Sequence, residues 1–404
     1  MRADPAACLG AGASLYSPPV DLTAYRERFP ILDGTVYLIN HSLGAMPAAA
    51  EDRVLEYARV WKTRGIRAWA EGWWTMPLTV GDQIARLIGA RPGSVTMHQN
   101  VTIAEAIVLS CFQLDGERRR VVYEEDNFPT VRYIYQAQVD RGVEIVAVPE
   151  GESLVEAIDE RTLLVPTQHV LYKTGEIQDV EAIVRRAHQV GAYVVLDAYQ
   201  SVGTVPLEVT ELEVDFAVGG SVKWLCGGPG AAWLYVRPDL AERLRPSLVG
   251  WQAHARPFAF EPELEYAEGA ARFLTGTPNV PALYAATAGY DLIEEVGVAR
   301  IRENSMHQTQ LLTDLLRLKG FDVTSPLDSK RRGGTVTVRT PGFEGVHREL
   351  AERGILCDFR PDSGLRLGSH YFNTDEELRY AAAQIAEIVE SGAYERHLGA
   401  TARF

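Results

Sequence analysis

The 404-residue sequence is poor in cysteine, with only four: Cys8, Cys111, Cys226 and Cys357. They lie far apart and form no C-x-x-C pair. That argues against a zinc site or redox dithiol, so no metal is expected and a reducing cytoplasm is the default setting. Positive charge is also short: 40 Lys and Arg against 54 Asp and Glu give a net charge of −14. This balance argues against a broad basic surface for nucleic acid or anionic membrane, while leaving room for a local basic pocket. No apolar run is long enough to span a bilayer. The opening MRADPAACLGAGAS lacks the basic region and apolar core of a secretory signal. Internal repeats and low-complexity linkers are missing too. The rest is ordinary for a globular protein, with 46% hydrophobic and 23% charged residues. The length suits a large domain plus a smaller one.

The first residues, to about Tyr16, are Ala/Gly-rich and are expected to be loosely ordered. From Gly81 to Val236 helical and strand patterns alternate. Around Asp197 the pattern is clearest. Asp179 can cap a helix whose apolar positions Val180, Ile183, Val184 and Ala187 share one face, and Gly191 ends it. AYVVLD then reads as a buried strand ending at Asp197. RVVYEED from Arg120, VEIVAVPE from Val143, TLLVPTQHV from Thr162, VDFAVGG from Val214 and AAWLYV from Ala231 read as further strands. Apolar strands separated by helices predict an α/β fold with a largely parallel sheet covered on both faces. Beyond them come two long helices, then FDVTS, GGTVTVRT, GILCDFR and LRLGSH as short strands with helices near Val346 and Asp375. This α+β rhythm predicts a small domain. The expected division is 1–44 packing with the small domain, 45–275 as the large domain, and 276–404 as the small one.

An open α/β sheet binds ligands beyond the carboxyl ends of its strands. Asp197 is placed at such an end, and Lys223 in the turn SVKWLCGGPG between two later strands. Singly, Asp197 reads equally well as a turn residue and Lys223 as a solvated lysine. Together they fit pyridoxal 5′-phosphate (PLP) chemistry. A lysine amine holds the aldehyde as a Schiff base, and a buried carboxylate keeps the pyridine nitrogen protonated.

DAYQSVGTVPL followed by VDFAVGGSVKWLCGGPGAAWLYV resembles the fold-type-I, class V aminotransferase superfamily. The GGPG segment is most similar to kynureninases and D-A-x-Q-S-V-G to cysteine desulfurases. The likeness runs from INHSLGAMP, near Asn40, to LRLGSHYFNTDEEL, near Leu365. It implies a mainly parallel seven-stranded sheet flanked by helices, with a smaller α+β domain. It also implies roles. Val101 and Thr102 open a helix suited to the cofactor phosphate. Phe128 stacks on the pyridine face, and Gln200 donates to the phenolic oxygen. His169, in TQHVLYKTGEI, contacts the cofactor region, with Tyr172 and Lys173 as weaker candidates. Thr277 in GTPN and Trp251 in VGWQAH serve the neighbouring subunit's site, which implies a homodimer with shared active sites. Arg366 grips the substrate carboxylate, for which a guanidinium fork is suited. Asn40, Ser42 and the tryptophans Trp69, Trp73 and Trp74 are candidates for shaping the substrate pocket, with core packing the competing reading for each tryptophan.

The sequence departs from both patterns. Val222 stands where kynureninases carry Tyr and desulfurases His, Cys226 replaces Asn, and Gln200 replaces His. Cys357 reads as a buried structural thiol rather than a mobile sulfur acceptor. The expected activity is cleavage of a carbon–sulfur or Cβ–Cγ bond of an α-amino acid, and the mixed motifs fit specialised metabolism. An aminotransferase or decarboxylating oxidative deaminase is the alternative. A nucleotide-binding α/β protein without PLP is a further one, resting on GAGAS near Gly10 and GGPG near Gly227. Neither stretch has the spacing of a phosphate loop.

Overall fold

The computed structural model describes residues 21–398, so the opening segment through Tyr16, with Cys8 and GAGAS, lies outside the described residues. After a two-residue strand β1 (Val36–Tyr37) come β2 (Val95–His98), β3 (Arg120–Glu124), β4 (Glu144–Val148), β5 (Thr162–Gln168), β6 (Tyr193–Asp197), β7 (Phe216–Gly220) and β8 (Ala232–Val236). β2 to β8 make a seven-stranded sheet in the order β2-β8-β7-β6-β5-β3-β4. Only β8 runs antiparallel to its neighbours. The other pairings are parallel. The predicted α/β sheet is therefore present, and helices cover it because its central strands are buried on both faces.

Helix α1 (Ala49–Arg64) and helix α2 (Met76–Leu87) precede β2; α3 (Val101–Leu109) follows β2, and α4 (Pro129–Gln136) follows β3. The helix before β6 spans Val180–Val190. Asp179 accepts a hydrogen bond from the Ala182 amide at 2.9 Å, and Gly191 closes the helix at φ 74°. Its predicted apolar face is buried: Val180, Ile183, Val184 and Ala187 all join the core beneath the sheet. Burying four such side chains anchors the strand that ends at Asp197.

The second sheet holds β9 (Asp322–Val323), β10 (Thr335–Arg339), β12 (Asp358–Arg360) and β13 (Gly364–Gly368), in the order β12-β13-β10-β9. β11 (Ile355–Leu356) pairs instead with β1, and Ile39 bridges to Gly368. Leu38 joins the small core, whereas Leu22, Phe29, Leu32 and Tyr37 join the large one, so the segment before Ala45 touches both. The helix Val280–Val296 packs differently from its expected assignment. Its Leu283, Ala286, Tyr290 and Ile293 belong to the large core, whereas the next helix, Val298–Leu318, sends Leu312 and Leu316 into the small core. The change of partner falls near Gly297, later than the expected boundary at 275. Among the described residues no helix is long and apolar enough to cross a membrane.

Candidate active site

Parallel strands bring their carboxyl ends to one edge, and there a cavity of about 330 Å³ opens. The β5–β6 register sets Gln168 opposite Asp197, and Lys223 lies just past β7. All three line the cavity. The Lys223 turn is fixed by close packing. The Gly44 amide donates to the Val222 carbonyl at 2.7 Å, and His370 bonds the Trp224 carbonyl at 2.8 Å. A Cβ on Gly44 would lie 2.1 Å from the Lys223 carbonyl oxygen, so only glycine permits this approach.

Burial lowers the Lys223 amine to about 8, with Asp197 pulling the other way. Its Nζ lies 4.3 Å from the Tyr199 ring centroid and 5.5 Å from that of Phe128. Burial likewise raises the Asp197 carboxyl, against the Tyr199 amide, which donates to Oδ1 at 2.8 Å, and against Lys223. An amine and a carboxyl each shifted toward neutrality, facing one cavity, are a signature of a chemical site rather than a surface pair.

At the start of α3, Asn100 is the capping residue, accepting from the Ile103 amide at 3.0 Å. The amides of Val101 and Thr102 remain without a partner in the helix, as the first turn of any helix requires. Phe128 stands before α4 with its ring edge-to-face on Tyr172 at 5.3 Å. Gln200 lines the cavity, but its amide already donates to the His41 carbonyl at 3.0 Å and accepts from the Trp224 indole at 3.1 Å. Ser42 also lines the cavity.

Eight expected residues do not line it. His169 is buried on the other side of its strand, because side chains alternate: Gln168 and Val170 face the cavity and His169 does not. Burial, with Arg302 nearby, takes its imidazole down to about 4. Asn40 is a clamp instead, donating to the Gly368 carbonyl at 3.0 Å and accepting from the Ala45 amide at 3.4 Å. Trp251 packs against Trp74 and Phe258 and is 41% exposed, and Thr277 is exposed. Both lie outside the cavity of their own chain. Trp69, Trp73 and Trp74 pack on one another and on Tyr57 and Trp251, not on the cavity. Lys173 is paired with Asp126 beside it.

The far wall is cationic. β12 and β13 are antiparallel with Asp358 directly opposite Arg366. The two-residue period places Asp358, Arg360 and Arg366 on one face, while Cys357, Leu365 and Leu367 enter the small core. Asp358 accepts from Arg366 Nε at 2.8 Å and Nη2 at 2.6 Å. It also faces His41 Nε2 at 2.8 Å and Arg360 at 3.2 Å. Burial pushes the Asp358 carboxyl up, but His41 and Arg366 outweigh it and hold it well below the carboxylate range. Burial lowers His41 to about 4, so the ring is neutral and donates through Nε2. Tyr199, Gln168, His41 and Arg360 line the cavity, and Asp358 backs it, without having been singled out from sequence. Tyr199 and Arg360 stand beside motif residues, in D-A-Y and C-D-F-R, which is the one signal that could have found them.

Residues 43–359 match the model of the aminotransferase class-V family. The chain belongs to the aminotransferase class-V family. This class-V protein is 34% identical over 385 residues to a kynureninase of Pseudomonas fluorescens, covering 91% of this chain and 92% of that one. It is 32% identical over 362 residues to a kynureninase of Burkholderia pseudomallei strain 1106a, covering 86% and 87%. Its fold matches an apo cysteine desulfurase from Thermococcus onnurineus NA1 with a TM-score of 0.82 at 21% identity, covering 93% and 100%. It also matches the cystine C–S lyase C-DES in complex with cysteine persulfide, with a TM-score of 0.81 at 22% identity, covering 89% and 99%. The class-V protein is a PLP-dependent enzyme. The residues present fit the cofactor: an amine near neutrality, a buried carboxyl, the amides opening α3, and the Gln168 Nε2, which is buried without a partner beside them. The cysteines Cys111, Cys226 and Cys357 are free, and burial drives the Cys357 thiol well above its ordinary range. That suits a packed side chain rather than a sulfur nucleophile.

Proposed function

We propose that this class-V enzyme is a lyase that cleaves the Cβ–Cγ or C–S bond of an α-amino acid, with kynurenine-type substrates first. The observation that carries this reading is the 34% identity to a kynureninase along nearly the whole of both chains. Lys223 is the residue that would hold PLP, and its amine, lowered to about 8 by burial, is suited to moving a proton at the substrate Cα. Bound there, PLP supplies an electron sink for charge released at the substrate. Asp197 would keep the ring nitrogen protonated, the amides of Val101 and Thr102 would hold the phosphate, and Phe128 would lie against the ring. Gln200, anchored on His41 and Trp224, retains one amide hydrogen for the phenolic oxygen. Ser42 and the cationic wall receive the substrate, and Phe128 with Tyr172 narrows access for water.

The two-domain division and a homodimer with Trp251 and Thr277 serving the partner's site are part of the same proposal. Support comes from the packing of β1 on β11 and from the exposed cluster Trp251, Phe258 and Phe260, 41%, 58% and 76% accessible. A reducing cytoplasmic setting agrees with the free cysteines. Product analysis of the PLP-loaded protein with kynurenine, cysteine and S-substituted cysteines tests the activity. Alanine from kynurenine, or pyruvate from S-substituted cysteines, is the expected result. A keto acid retaining the whole carbon skeleton would instead make the protein an aminotransferase.

A further inference from the structure

The lysine amine of the site rests on an aromatic face. Lys223 Nζ stands over the Tyr199 ring, 4.3 Å from its centroid, nearer than the 5.5 Å to that of Phe128. Both distances fall within the roughly 6 Å over which a ring face attracts a cation. Tyr199 is held on two sides. Its amide donates to Asp197 Oδ1 at 2.8 Å, and its ring lies against β7 where Gly220 has no side chain. A Cβ on Gly220 would meet the phenol Cζ and oxygen at 2.4 Å, so the ring keeps its place only beside glycine. Burial and the Asp197 charge raise the phenol above its ordinary 10.0, so the ring stays neutral. The charged surroundings of the amine are uneven. Burial, Arg366 and Arg360 act against its charged form, and Asp197 and Asp358 favour it. Asp358 is already bonded to Arg366, Arg360 and His41, and His41 is neutral. Asp197 is the carboxylate assigned to the cofactor's ring nitrogen.

On the functional reading above, on which this inference rests, Lys223 takes a proton from the substrate Cα. The proton passes to Nζ, the electron pair of the broken C–H bond stays with the substrate carbon, and the amine becomes an ammonium. A buried ammonium without a partner is costly. We propose that the face of Tyr199 is the seat of that ammonium, so that Tyr199 is a catalytic residue whose ring touches the reacting nitrogen and stabilises its charged form. A ring face attracts a cation through its quadrupole and carries no formal charge, so it serves Lys223 while Asp197 serves the cofactor.

The test is the pH dependence of PLP capture by the PLP-free protein, followed by stopped-flow absorbance, which reads the amine rather than turnover. A face that stabilises the ammonium raises the amine's pKa, so weakening the face lets the unprotonated amine form at lower pH. Tyr199→Phe keeps the face and should leave the plateau of the capture rate where the wild type has it. Pentafluorophenylalanine at position 199 keeps the shape but reverses the charge distribution of the face, and should move the plateau down by about 0.5–1.5 pH units. Gly220→Ala, which pushes the ring from its place, should move it the same way. A plateau that stays put or rises with the fluorinated ring overturns the inference. So does a shift already complete in Tyr199→Phe, which would trace the effect to the phenol. If the fluorinated protein fails to fold, Tyr199→Leu decides: a lower plateau supports the inference, an unchanged or higher one overturns it. Wild-type protein that captures no PLP would sink the functional reading itself. Capture with a plateau indifferent to the ring sinks only this inference.

Discussion

Replacing Asp358 by Asn should destabilise the protein far more than a typical charge removal. Asn keeps the shape but removes the charge set against Arg366, which is 1% exposed, while the Asp358 side chain is only 12% exposed. Breaking one partner of a buried pair leaves the other charge without compensation and costs about 3–5 kcal/mol. Unfolding entropy of about 2.1 cal/mol/K per residue gives roughly 0.85 kcal/mol/K for 404 residues. The melting temperature should then fall by about 4–6 °C in differential scanning calorimetry. Asp126→Asn is the matched control. Its pair with Lys173 is exposed at the carboxylate, 42%, and such pairs are worth about 0–1 kcal/mol, or roughly 1 °C at most. The pH dependence has a definite sign. The folded Asp358 carboxyl is depressed below its ordinary 3.8. Its stabilisation is thus complete above that value and lost as pH falls toward the folded one. The gap between wild type and Asp358→Asn should be constant at neutral pH and narrow below about pH 4. Equal melting temperatures for Asp358→Asn and Asp126→Asn would refute the reasoning.

Two further outcomes follow from the same geometry. The rate at which PLP-free protein captures added PLP should rise about tenfold per pH unit and level off near pH 8, because the attacking group is the unprotonated Lys223 amine, lowered to about 8 by burial. Stopped-flow absorbance would show this; a rate still climbing toward the ordinary lysine value of 10.5 would contradict it, and Lys223→Ala should capture nothing. Ile183→Ala, at a position 3% exposed beneath β6, should cost about 2–5 kcal/mol and roughly 2–6 °C of melting temperature with cofactor uptake unchanged. Loss of uptake at room temperature would mean that the helix Val180–Val190 does more than support Asp197.

Local pattern specified the scaffold of the site. The apolar face from Val180 to Ala187, the cap at Asp179 and the stop at Gly191 are short-range signals, and each forms as read. With the strand that follows, they place Asp197 at a sheet edge, and the alternation up to Val236 places Lys223 near it. Such features depend on residues a few positions apart, so the sequence alone determines them. Which side of β5 faces the cavity is a different kind of fact. His169 looks as chemical as Gln168, but the parallel register with β6 turns Gln168 to the site and buries His169 behind it. Likewise C-D-F-R and L-R-L each show alternation, yet neither says that β12 pairs with β13 or that Asp358 lands opposite Arg366. Nor does INHSLG announce that His41 comes across the chain to meet that carboxylate. Electrostatic partnership between distant segments is decided by register and packing, because charge acts through space and only the folded chain brings these groups within hydrogen-bonding reach.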